Sequence, residues 1–90
     1  MTKEEKFKFI VALARALSAD KSTMRVTTLA TLLNEVGFRD SYGLEYAGGR
    51  GTYTLVHAVY DWAADNTSQE DADAVAQAYT KEDGSYAYEK

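Results

Sequence analysis

Residues 29–38 have the sequence LATLLNEVGF, in which an amphipathic helix is followed by the residue expected to end it. Its leucines and valine recur at three- and four-residue steps, which places them on one face of a helix. Gly37 stands where helices commonly end in a left-handed residue, and Thr27 or Thr28 is expected to cap the beginning. Phe38 is expected to fold back onto the core.

The same apolar spacing predicts three more helices around this stretch. The first begins at Thr2, which forms a capping box with Glu5. The third runs from Thr52 to Asn66, and the fourth starts after Ser68, with acidic residues in its first turn. The expected buried faces are Phe7, Ile10, Val11, Ala14 and Leu17 in the first helix, Leu29, Leu32, Leu33 and Val36 in the second, Leu55, Val56, Val59, Tyr60, Trp62 and Ala63 in the third, and Ala72, Val75, Ala76 and Tyr79 in the fourth.

Two short segments alternate in polarity as strands do. Residues 24–26 form one, and residues 85–89, which follow the turn pair Asp83-Gly84, form the other. We therefore predict a single domain over residues 1–90. Its fold class is mainly α, with four helices in an order similar to a winged helix-turn-helix and a short β ribbon that pairs about 24–26 with 85–89.

Composition excludes several classes of function. The 90 residues contain no cysteine and one histidine, so thiolate metal sites and disulfides are excluded and a metal or haem site lacks ligands. His57 could be oriented by Asp61 on one helix face, but no nucleophile accompanies them, and we predict neither catalysis nor a cofactor. No long apolar run and no signal-peptide core are present, so a cytoplasmic protein without membrane contact is expected.

Charge is divided unevenly along the chain. The net charge is −4, but residues 1–51 carry +2 and residues 52–90 carry −6. Three explanations of this division are open. The basic half could face phosphate, or the acidic half could be the binding surface. The charges could also belong to an unevenly charged surface that only contacts solvent.

Residues 27–63 carry a local resemblance. The capping threonines, the spacing Leu33-Asn34-x-x-Gly37, the loop of residues 41–46 and the next helix resemble a DNA-binding segment of large serine recombinases. The chain departs from that pattern in the insertion of residues 47–51 and in the shortage of basic residues on the next helix. The recombinase catalytic domain has no counterpart, so the resemblance implies a mode of DNA binding and no recombination.

In the binding mode that the resemblance implies, the third helix is the recognition helix and the cations around it contact phosphate. The predicted nucleic-acid contacts are Lys21, Arg25, Arg39, Arg50, Thr52, Tyr53, Thr54 and His57. The glycine-rich segment Gly48, Gly49, Arg50 and Gly51 is a candidate anion-binding loop, because its backbone amides can approach a ligand at a helix start. Turn geometry in a chain without proline is the simpler explanation of the same glycines.

Two classes of function follow. The first is a small non-enzymatic DNA-binding module or regulator with a helix-turn-helix. The second is a protein-interaction module, a regulator or inhibitor that uses the tyrosine-rich loop and the acidic C-terminal half, since a helix-turn-helix scaffold does not dictate what it binds. A homodimer that buries the tyrosines is a third arrangement that the sequence permits.

Overall fold

The computed structural model describes residues 2–47 and 50–88, with the backbone alone at Arg50. It confirms a mainly α fold of four helices and a two-stranded sheet in this part of the chain. None of the helices described is long and apolar enough to cross a membrane. The elements in chain order are α1 (Lys3–Ala19), β1 (Met24–Arg25), α2 (Val26–Val36), α3 (Arg50–Asn66), α4 (Gln69–Ala78) and β2 (Tyr79–Thr80).

The first helix begins with the predicted capping box. The Thr2 hydroxyl accepts the Glu5 amide at 3.1 Å, and the Glu5 carboxylate accepts the Thr2 amide at 3.1 Å. The second bond favours the ionised carboxylate and keeps the pKa of Glu5 below its usual value. Four of the predicted apolar residues of α1 are buried, which confirms the core-facing side of this helix: Phe7, Ile10, Val11 and Ala14.

The second helix begins and ends for different reasons. Its N-cap is Arg25, which is extended because it belongs to β1, so the prediction of a Thr27 or Thr28 cap is wrong. Its end is as predicted. Gly37 has φ 103°, and its amide donates to the Leu33 carbonyl at 3.1 Å, as does the Phe38 amide at 2.9 Å. This left-handed cap turns Phe38 into the core.

The sheet pairs β1 with β2 in parallel, Met24 opposite Tyr79 and Arg25 opposite Thr80. The predicted partner segment, residues 85–89, contributes one antiparallel bridge from Tyr86 to Thr80 instead, and Glu89 lies outside the described residues. Tyr79 leaves the helix because its ring is wholly buried and its hydroxyl donates to the Ile10 carbonyl at 2.7 Å. An extended backbone at this position carries the ring into the core.

The fourth helix packs against α1 and α3, and the faces of the helices meet in one core. Ser68 caps α4 as predicted, since its hydroxyl accepts the Asp71 amide at 3.1 Å. At the far end of α1, the Arg15 guanidinium donates to the Asp71 carboxylate. This bond, followed by one from Thr67, lowers the pKa of Asp71. Asp71 therefore joins α4 to α1 and is 16% exposed.

Candidate functional site: the loop between α2 and α3

Residues 38–47 connect α2 to α3, and we name them the tyrosine loop. Asn34, in the last turn of α2, holds this loop at Tyr46. The Asn34 amide oxygen accepts the Tyr46 backbone N–H at 2.7 Å, and its nitrogen donates to the Tyr46 carbonyl at 2.8 Å. One side chain thus pairs with both backbone groups of a loop residue, much as a neighbouring strand would.

The tyrosine loop is also fastened to α1. The Lys6 ammonium donates to the Arg39 carbonyl at 3.1 Å and to the Tyr46 hydroxyl, which itself donates to the Arg39 carbonyl at 3.3 Å. Lys6 also lies 5.2 Å from the centre of the Tyr46 ring. Lys6 therefore contacts the tyrosine loop near both of its ends.

The tip of the tyrosine loop is organised by Asp40. One carboxylate oxygen accepts the amides of Tyr42 at 2.8 Å and Leu44 at 2.9 Å, and the Asp40 amide donates to the Leu44 carbonyl at 2.9 Å. Gly43 supplies the positive φ of 78° that this tight turn needs. On this fixed backbone Tyr42 is 87% exposed and Leu44 is 62% exposed. The loop presents two large apolar side chains to solvent from a rigid support.

Two of the predicted cations lie near opposite ends of α1. Arg39 lies beside Lys6 near the start of α1, whereas Lys21 follows the other end of that helix. The helix between Lys6 and Ala19 separates them by about 20 Å at 1.5 Å per residue. That Lys21, Arg25 and Arg39 flank a duplex stays a prediction.

Carboxylates accompany two of these cations. Arg25 lies 3.6 Å from the Glu82 carboxylate, and Arg39 lies 3.9 Å from that of Glu45. Arg39 also donates to the Phe38 carbonyl at 2.8 Å. A phosphate would have to compete with these partners. The Arg50 side chain lies outside the described residues, as do Gly48 and Gly49 of the candidate anion-binding loop.

The start of α3 differs from the prediction. The helix begins at Arg50, two residues before the predicted cap at Thr52, and this turns Thr52 inward. Thr52 is fully buried, and its hydroxyl donates to the Ala47 carbonyl at 3.0 Å. It is therefore not the exposed contact that the sequence suggested. Tyr53 is half-buried with Lys81 5.8 Å from its ring, while Gly51 and Thr54 are exposed.

His57 belongs to an aromatic cluster. Its half-buried ring lies 4.8 Å from that of Tyr88, which stacks on Tyr60 at 3.8 Å. Among the residues that the structure describes, no three potential ligands are grouped as a metal ion would need. The geometry thus places His57 in a packing role at the C-terminal segment.

After Arg50, whose side chain lies outside the described residues, the outer stripe of α3 carries no cation. Residues 51–66 contain neither lysine nor arginine, and Thr54, Ala58, Asp61 and Asp65 follow one another along the exposed side. Two carboxylates on this stripe repel phosphate, whose attraction to cations supplies most non-specific affinity for DNA. The geometry gives this helix face little electrostatic attraction to a duplex.

The acidic end of the molecule is separate from the tyrosine loop. Asp71 is bonded to Arg15, nine residues after Lys6 on α1, which is about 13 Å along the helix axis. Glu70 and Asp73 are exposed on the same end of α4. The loop and the acidic residues, both of which the sequence offered for contact with a protein, thus lie near different ends of α1.

No protein-family model, no curated protein and no solved structure matches this chain.

Proposed function

We propose that this domain is a non-catalytic module that binds another protein through its tyrosine loop. The observation that carries the proposal is Tyr42, a side chain 87% exposed on a backbone fixed by Asp40 and Asn34. Tyrosine is enriched among the residues that dominate binding energy at protein interfaces. A loop that is already ordered loses little conformational entropy when it binds.

Apolar area supports the same proposal. Leu44 is exposed two residues after Tyr42, and Val36, at the end of α2, is 38% exposed. Exposed aromatic and aliphatic side chains on one loop match the apolar centre of a protein interface. Of the cations predicted to contact nucleic acid, Arg39 lies in this loop and has the Glu45 carboxylate 3.9 Å away.

The test compares two exposed tyrosines. Wild type, Tyr42→Ala and Tyr86→Ala are immobilised, a partner captured by wild type is identified, and its dissociation constant is measured with each variant. Tyr86 is 50% exposed on the C-terminal turn and serves as the matched control. We expect Tyr42→Ala to weaken binding by roughly 30-fold or more, as for an interface hot spot, and Tyr86→Ala to leave it unchanged.

Three results would contradict the proposal. Equal affinity of the Tyr42 and Tyr86 variants would exclude the loop. Loss of binding on reversing the charges of Glu70 and Asp73, with Tyr42→Ala unaffected, would move the contact to the acidic end. Retardation of mixed-sequence duplex DNA that Arg50→Ala abolishes, with a logarithmic salt slope of about −3 to −4, would restore the DNA-binding prediction.

Self-association needs its own measurement. If the partner is a second copy of the chain, sedimentation of wild type shows a dimer that Tyr42→Ala dissociates. A dimer that persists in Tyr42→Ala would contradict a role for the loop in that interface.

A further inference from the structure

A pocket opens beside the tyrosine loop and is separate from its exposed tip. The first turns of α1, the residues after Gly37 and the start of α3 enclose a volume of about 530 Å³. Small-molecule sites commonly measure about 300–1,000 Å³. The pocket is therefore large enough for a small organic molecule.

Cations outnumber carboxylates in the pocket wall. Lys3, Lys6 and Arg39 line it, and Asp40 is the one acidic residue among the lining residues described. The Asp40 carboxylate is already occupied by the amides of the loop tip. A local excess of positive charge in a chain of net charge −4 favours an anionic ligand.

The deeper wall is apolar. Phe7, Phe38 and Leu55 line the pocket and expose only 4%, 5% and 8% of their surface, so each is anchored in the core. Lys3 lies 5.4 Å from the centre of the Phe7 ring, which brings a cation next to an aromatic face. An anionic ligand held by the lysines can therefore place an apolar body against the phenylalanines.

Lys6 is positioned before any ligand arrives. Its bonds to the Arg39 carbonyl and the Tyr46 hydroxyl use two of the three hydrogens of an ammonium group. The group is thus oriented at the pocket wall with donor capacity remaining, and a ligand need not order a flexible lysine at this point.

We propose that this pocket binds a small organic anion, a carboxylate or phosphate attached to an aromatic body, with Lys3 and Lys6 at the anionic head and Phe7 and Phe38 against the ring. The site is independent of the protein contact proposed for Tyr42.

Amide chemical shifts of the labelled, full-length domain test the proposal with phenyl phosphate as the probe. We expect shifts confined to residues 2–7, 37–41 and 51–58. Benzyl alcohol, which lacks the charge, and inorganic phosphate, which lacks the ring, should each bind at least tenfold more weakly. Shifts spread over the whole surface, or none at millimolar phenyl phosphate, would overturn the proposal.

Two lysines on α1 provide matched variants. Lys3→Gln should weaken phenyl phosphate about fivefold, the loss expected for one charge contact near the surface. Lys8→Gln should leave it unchanged, since Lys8 is paired with Glu4 at 3.2 Å on the exposed side of the helix. If both variants weaken binding equally, the ligand is attracted by the positive charge of the surface in general. If inorganic phosphate binds as tightly as phenyl phosphate, the ring makes no favourable contact with the aromatic wall. Either result overturns the proposal, and neither affects the test of Tyr42.

Discussion

Replacement of Asn34 by alanine should release the tyrosine loop while the helices stay folded. The substitution removes two neutral hydrogen bonds, those to the Tyr46 amide and carbonyl. Each contributes about 1 kcal/mol net, at the low end where water can replace the lost partner. Because both groups are half-buried, we expect the loop to lose about 1–2 kcal/mol of stability against local opening, a factor of about 5–30 in the closed-to-open ratio.

Amide hydrogen exchange measures this opening directly. The Tyr46 amide of Asn34→Ala should exchange about 5–30 times faster than in wild type, while amides in the middle of α1 and α4 report only the change in global stability. Asn66→Ala is the control, since its side chain also donates one bond to a carbonyl, that of Trp62 at 2.9 Å, but at the exposed end of α3. If the Tyr46 amide keeps its protection in Asn34→Ala, the loop is held by Lys6 and Asp40 alone and our account of its rigidity is wrong.

Substitutions at three further positions test the packing. Tyr79→Phe should lower the free energy of unfolding in urea by about 1 kcal/mol, because it removes the hydrogen bond to the Ile10 carbonyl. Tyr79→Ala should lower it by about 3–5 kcal/mol, because it also leaves a cavity in the core. Equal losses in the two variants would contradict the assigned bond. Gly37→Ala should cost about 1–2 kcal/mol, because alanine is strained at a φ of 103°; an unchanged urea midpoint would refute this. The hydrogen bond from Arg15 lowers the pKa of Asp71 below 3.8 in the folded domain. The pair therefore stabilises the fold fully at a pH well above 3.8, and this contribution is lost as the pH falls through the pKa that Asp71 has in the folded state. Wild type should therefore exceed Asp71→Asn in stability at pH 7, and this difference should shrink as the pH falls below 3.8. A difference independent of pH would count against the pair.

The features that the sequence predicted well depend on neighbours along the chain. The Thr2–Glu5 box, the Gly37 cap and the Ser68 cap each involve residues within four positions of one another, and each formed as expected. Helix spacing likewise identified Ile10 and Leu33 as core. Local sequence determines such contacts because the helix itself brings the partners together.

The errors arose where distant segments meet. Tyr79 continues the apolar spacing of α4, and nothing nearby shows that β1 will draw it into a strand. Thr52 looks like a cap until the earlier start of α3 turns it inward. The contacts of Asn34 and Lys6 with Tyr46 were not predicted, because Tyr46 lies 12 and 40 residues away from them in the chain.

The parallel pairing of β1 with β2 has a consequence for biosynthesis. Met24 can pair with Tyr79 only after the ribosome has added the 55 residues that lead to Tyr79. At translation rates of about 5–20 residues per second, this takes about 3–11 seconds. Individual helices form in under a microsecond or so. Until α3, α4 and β2 have been made, the nascent α1 and α2 expose the leucine, isoleucine and phenylalanine side chains that these elements cover in the folded domain.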